Sequence, residues 1–251
     1  MNAAEEHTIH LRAVELSGRS SGAEGFPFSV PAIRTLPRLD FSASVTFLVG
    51  ENGSGKSTLI EALAVSWGFN AEGGSKNFSF GTRDSHSPLH QFVRPVRSTK
   101  RARDGFFLRA ESYFNVGTQI EELDKGPGGP PIIDSFGGVS LHEQSHGESF
   151  FALLENRFHG QGLYILDEPE AALSPNRQLS FLTRMHDLVQ QQSQFIVATH
   201  SPIILGYPDA WIYQTTPHGL ERVAYEDTDH FQITRNFLNR RETFLDVLLS
   251  D

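Results

Sequence analysis

The sequence predicts an α/β fold, a mostly parallel sheet flanked by helices, and three observations carry that reading. The segments "SVTFLVG" (44–50), "LYILDEP" (163–169) and "QFIVATHSP" (194–202) each hold a nearly unbroken apolar run. A sheet with one wet face alternates apolar and polar residues, whereas unbroken apolarity is expected where helices cover both faces. Helical spacing follows two of these runs, so strands and helices alternate along the chain, the pattern of parallel strand crossovers. Between the first run and its helix stands "GENGSGKST" (50–58), a glycine-rich turn joining strand to helix.

At 251 residues, with 38% hydrophobic and 20% charged content, the chain can form one sizeable core. We read 1–251 as a single domain. No apolar run approaches the roughly 18 residues that span a bilayer, so no integral membrane segment is expected. The start, "MNAAEEHTIHLRAVEL", has acids where a secretory signal carries basic residues, and it lacks an apolar stretch. The absence of cysteine fits a reducing, cytoplasmic location.

Ile9, Leu11 and Ala13 open the first strand, followed by a Gly/Ser loop and a proline-punctuated stretch from Phe26 to Pro37. After the glycine-rich turn, Leu59, Ile60, Leu63 and Trp67 recur at helical spacing. Gly, Ser and Pro crowd the next interval, so about 70–105 reads as an irregular insert. "GFFLRAESYFN" reads as the following strand, and "KGPGGPP" (125–131) as a mobile loop. Phe150, Leu153, Leu154 and Phe158 mark a helix ending near Gly160. Ser174 and Pro175 start another, with Leu179, Leu182, Met185 and Val189 as its buried stripe. "WIYQTTPHGLERVAY" is a hairpin turning near Pro217 to Gly219. The C-terminal stretch with Phe231, Phe237, Leu238, Phe244, Leu245 and Leu248 is helical and expected to dock on the sheet.

The turn "GENGSGKST" satisfies G-x-x-x-x-G-K-[ST] in the strand-to-helix context that pattern requires. Asn52, Gly53, Ser54 and Gly55 let backbone N–H groups wrap a triphosphate. Lys56 counters its charge, Thr58 opens the helix, and Ser57 can hold Mg²⁺. Asp167 and Glu168 end the second buried strand, where open α/β sheets bind ligands. Asp167 would join Ser57 as an Mg²⁺ ligand, and Glu168 would orient or deprotonate the attacking water. His200, at the end of the third buried strand, is placed to reach a γ-phosphate.

"LHEQSHGESF" (141–150) allows two readings. His142, Glu143 and His146 match the H-E-x-x-H pattern of zinc proteases, but Ser145 and Glu148 form a capping box that starts the helix at Ser145. His142 then lies before the helix, and the zinc face is lost. Ser145 and Gly147 at a helix start form an anion site instead.

In this order, glycine-rich turn, S-x-G-E helix start, Asp-Glu strand end and strand-His, the chain resembles the P-loop NTPase core of ABC-type ATPases. The likeness is to their soluble branch, small predicted AAA-family ATPases related to RecF and the structural-maintenance-of-chromosomes heads. The resemblance covers about 45–204. It implies an N-terminal antiparallel β part, a small helical signature subdomain at about 112–160, and bound ATP with Mg²⁺. It further implies a head-to-tail homodimer in which Ser145, Gly147 and Glu148 of one copy close on the γ-phosphate held by Gly53 to Thr58 of the other. "AALSP" (171–175) takes the place of the D-loop. The chain departs from the pattern at His146, where a glycine is usual, and at Ser174, where an Asp is common. No glutamine stands at the Q-loop position: Gln91 lies in the insert, and "FFLRAE" ends in Glu111. Phe26 and Phe28 are the aromatics available to stack on adenine.

The expected function is an ATP-hydrolysing switch coupled to a companion protein, or to nucleic acid in repair or defence. Between Lys76 and Arg109 stand eight of the 21 Lys and Arg residues against Asp84 and Asp104, about +6 in a chain of −9, a footprint for phosphate backbones. The same charges also suit a solvated hairpin face. Two other functions compete: the nucleotide-binding subunit of an ABC transporter, and a module that binds ATP without turning it over.

Overall fold

The structure, a computed structural model, describes residues 8–16, 25–75, 87–110, 113–125 and 131–250. Among the described residues nine strands form two sheets. The larger has the order β5-β6-β7-β3-β8-β9, with β3 (Val45–Val49), β5 (Asp104–Arg109), β6 (Gly162–Asp167), β7 (Gln194–Ala198), β8 (Trp211–Thr216) and β9 (Gly219–Val223). The first five of these in sheet order run parallel, and β9 returns antiparallel through the hairpin read from the sequence. The smaller is antiparallel, β2-β1-β4, built from β1 (Leu11–Leu16), β2 (Arg38–Asp40) and β4 (Val93–Arg97).

Burial follows the unbroken apolar runs. Val45, Phe47 and Val49 of β3 face one core with Leu166, Phe195 and Val197, while Leu48 faces a second core with Ile165, Ile196 and Ala198. The first core is closed by α4 (His146–Asn156) and α5 (Pro175–Gln190) through Phe150, Leu153, Phe181, Met185 and Leu188. The second is closed by α2 (Lys56–Trp67) and by the small sheet, through Leu59, Ile60, Leu63, Leu11 and Val14. Each such fully buried side chain contributes about 1.5–3 kcal/mol. A sheet covered on both faces holds its strand ends, and the loops that leave them, in fixed register.

Three expectations change. The insert is irregular only in part: Val93–Arg97 is strand β4, paired with the edge of β1 opposite β2. The strand read into "GFFLRAESYFN" stops at Arg109, and Tyr113–Asp124 is helix α3. The α5 stripe is Phe181, Met185, Leu188 and Val189, with Leu179 54% exposed, since the sheet lies under the 181/185/188 line one residue pair round the helix. The loop read into 125–131 lies outside the described residues from 126 to 130.

The C-terminal segment is helical, as α7 (Asp229–Asn239) and α8 (Arg241–Leu249), but it meets the sheet through the first residue of α7, Asp229, which bonds Gln214 of β8, rather than along its length. Neither helix buries a residue, and Leu238, Val247, Leu248 and Leu249 are exposed. Instead, α7 packs on α6 (Pro202–Leu205) and the 3₁₀ turn Tyr225–Asp227, and α8 packs on α7. Among the described residues no helix is long and apolar enough to cross a membrane.

Candidate functional site

The chain turns sharply where β3 meets α2. Gly50, Gly53 and Gly55 have φ of 152°, 76° and 96°. A side chain at Gly50 would meet Thr215 at 2.8 Å, and one at Gly55 would meet Val30 at 2.6 Å. Gly50 and Gly55 therefore serve both the positive φ and the close approach, and Gly53 the positive φ alone. The turn leaves Asn52 and Gly53 exposed and aims the first N–H groups of α2 outward, where an anion is favoured. Lys56 is buried, and its Nζ donates to the carbonyls of Gly50 at 2.8 Å and Glu51 at 3.0 Å. Burial holds the ammonium below the ordinary lysine range, against the opposing pull of Glu168 and Asp167. The Ser54 Oγ is buried without a hydrogen-bond partner. A helix N-terminus beside a glycine turn, a lysine on exchangeable carbonyls and an orphaned hydroxyl fit a polyphosphate.

The parallel register of β3, β7 and β6 brings the other residues to the same sheet end. Ser57 Oγ donates to Asp167 Oδ1 at 3.1 Å. One hydroxyl and one buried carboxylate, with phosphates supplying the rest, are the donors Mg²⁺ uses. Glu168 takes the left-handed conformation, φ 52°, ψ 51°, and its N–H donates to Ala198 O at 2.9 Å. That conformation costs a non-glycine residue about 1–3 kcal/mol and is held here by the register with β7. It turns the half-exposed Glu168 carboxylate to within 3.6 Å of His200 Nε2. Glu170, buried behind them, accepts from Thr199 Oγ1 at 2.7 Å and from His200 N–H at 2.5 Å, and burial raises its pKa.

The opening of α4 is the capping box read from the sequence. Ser145 Oγ accepts from Glu148 N–H at 3.4 Å, and Glu148 Oε2 accepts from Ser145 N–H at 3.0 Å and from Ser145 Oγ–H at 2.5 Å. These bonds hold the Glu148 carboxyl below its usual range. Ser145, His146 and Glu148 are exposed. A side chain at Gly147 would press on Ala172 O at 3.1 Å, so the glycine lets the helix start against the 169–172 turn. His142 bonds Thr118 at 3.1 Å and lies before α4, off the helix face that the zinc reading needs.

Two family models match parts of the chain. One family model, "AAA domain", matches residues 32–121, which hold the glycine cradle. A second, "AAA domain, putative AbiEii toxin, Type IV TA system", matches 138–206, from the start of α4 through His200. Both models describe an AAA domain, and the two stretches they match hold the glycine turn and the Asp167–Glu168 strand end. A curated relative of the chain, the ABC transporter G family member STR2 of Medicago truncatula, is 26% identical over 175 residues, 63% of this chain; the chain spans about a quarter, 24%, of that protein's length. Solved structures of similar outline include the SMC head domain from Thermotoga maritima, at 20% identity and TM-score 0.44, covering 86% of this chain and 98% of that one. Another is CbiO1 from Clostridium perfringens, part of the ABC transporter complex CbiONQ, at 16% identity and TM-score 0.47, covering 93% and 97%.

The same end of the sheet also gathers residues to which the sequence reading gave no place in the site. Arg109, at the end of β5 and in register with Asp167, donates to Glu61 Oε2 of α2 at 2.7 Å and lies 3.8 Å from Asp167 Oδ2. It faces Glu61 and Asp167, unlike the exposed cations of the basic insert. Glu170 and His230 were missed as well; the second acid after Asp167 offered a local signal for Glu170, whereas His230 lies 30 residues from His200 and offered none. Glu111 lies outside the described residues, and Gln91 is exposed in the 3₁₀ turn Pro88–Phe92. Phe26 is exposed, and Phe28 stands edge-on to Phe92 at 5.0 Å.

Proposed function

We propose that the chain hydrolyses ATP to ADP and phosphate as a molecular switch, and that the complete site forms between two head-to-tail copies. The meeting of Glu168 and His200 at 3.6 Å, beside the Ser57–Asp167 pair at the carboxyl end of the sheet, carries the reading. Lys56 exchanges the carbonyls of Gly50 and Glu51 for phosphate oxygens, and the N–H groups of Gly53 to Thr58 hold the triphosphate. Ser57 and Asp167 would hold Mg²⁺, which would supply neutralising positive charge to the triphosphate. Glu168 orients a water in line with the γ-phosphorus and takes its proton as the bond to the β-phosphate oxygen breaks. His200 donates from Nε2 to the γ-phosphate. No covalent enzyme intermediate is involved.

The dimer rests on the exposed start of α4. Ser145 and Gly147 present a helix N-terminus to solvent, an arrangement that fits the γ-phosphate of a second copy. For the coupled partner we favour nucleic acid, since Arg94, Arg97, Lys100, Arg101 and Arg103 are all exposed along and after β4.

Glu168→Gln tests the reaction. Turnover should fall by about a hundredfold or more with ATP affinity kept, and an ATP-bound dimer should accumulate by light scattering. Unchanged turnover would remove Glu168 from this role.

A further inference from the structure

We propose that His230, the second residue of α7, is a positioning residue that fixes the tautomer of His200 so that a proton sits on its Nε2, facing Glu168 and the γ-phosphate. The inference rests on the hydrolytic reading above. His200 Nδ1 and His230 Nε2 stand 2.9 Å apart, with ring centroids at 5.1 Å. Two imidazoles at that distance share one proton between the facing nitrogens. If His200 held it, its Nε2 would turn a bare lone pair on the Glu168 carboxylate 3.6 Å away, and could donate to nothing. If His230 holds it, His200 carries its proton on Nε2, aimed at the carboxylate and at the place of the phosphate. The second arrangement removes a repulsion and makes a donor of a buried nitrogen without a hydrogen-bond partner.

The surroundings keep the pair neutral. Burial, then Lys56, lowers the pKa of both rings. His230 itself is fixed from two sides. The fully buried Thr228 caps α7 by accepting from Phe231 N–H at 3.3 Å and donates to Tyr225 O at 2.8 Å. Asp229 is clasped by Gln214 of β8, with its N–H donating at 3.0 Å and its Oδ2 accepting at 2.9 Å. This end of α7 therefore belongs to the site, although the rest of the helix is exposed.

Two substitutions separate orientation from bulk. His230→Gln places an amide N–H near the former Nε2 and keeps the donor; His230→Leu removes it. The tautomer of His200 is read from its imidazole ¹⁵N shifts, and kcat and KM for ATP are measured on the same samples, with thermal melts to establish folding. His230→Leu should lower kcat by about tenfold to a hundredfold, the usual scale for a residue acting through another, at little change in KM. It should also convert the His200 signal from Nε2–H to a mixture of tautomers. His230→Gln should stay within about threefold of wild type and keep the Nε2–H signal. A kcat unmoved by His230→Leu, or equal losses in both variants with the His200 tautomer unchanged, would overturn the proposal. A wild-type protein that turns over no ATP yet shows the Nε2–H signal, lost in His230→Leu, would sink hydrolysis and leave the tautomer assignment standing.

Discussion

Arg109 lies between two carboxylates, the Glu61 it bonds at 2.7 Å and the Asp167 it approaches at 3.8 Å. Glu61 also accepts from Ser87 N–H at 3.0 Å, so it ties α2 to the segment before β4. Arg109→Met should cost about 1–3 kcal/mol in urea unfolding, because it leaves a buried carboxylate with one partner fewer. It should also weaken Mg²⁺-dependent ATP binding by freeing Asp167. The histidine pair makes a separate forecast. Folded, both imidazoles titrate below their ordinary range, so the unfolded chain takes up protons first as pH falls. Stability is then full above about pH 6.5 and declines as pH drops toward the folded values. Replacing both rings with Asn should flatten that acid slope, read from urea midpoints between about pH 7 and 5. Local pattern made Lys56, Ser57, Asp167 and Glu168 readable because each stands beside its own strand end. Arg109 and His230 act across sheet register and across 30 residues of chain, which no local pattern records.

Among the elements, β3, β6 and β7 were legible because two-sided burial leaves continuous apolar runs. The capping box was equally legible: its two side chains bond each other's backbones within four residues. Periodicity alone misjudged α5. Leu179 and Phe181 both fit an apolar stripe, and the sheet beneath the helix selects Phe181. Phe181→Ala should therefore cost about 3–5 kcal/mol, while Leu179→Gln should stay within about 0.5 kcal/mol, both by chemical denaturation. β4 escaped notice because its sequence, "VRPVR", carries a proline and two arginines. Such residues suit an edge strand, and its partner β1 is remote in sequence.

At the scale of the whole molecule, a net charge of −9 conceals a local excess of cations. The structure divides that excess: Arg109 turns inward to the site, while Arg97, Lys100 and Arg101 stay exposed, with the Arg97 guanidinium lying 4.4 Å over Trp67. If nucleic acid is the coupled partner, reversing the charge of Arg97, Lys100 and Arg101 should lower affinity for duplex DNA and reduce the salt slope by up to about 3. Absence of binding by the wild type at low salt would eliminate that partner. The dimer is tested by mixing. Lys56→Ala should disable the phosphate cradle and Ser145→Arg the helix that closes on it, so each protein alone should be inactive. If one copy completes the other's site, a mixed pair carries both lesions in one site and leaves the other intact. An equimolar mixture should then recover about a quarter of wild-type turnover, as expected for random pairing. A mixture as inactive as either variant alone would contradict a site shared between two copies.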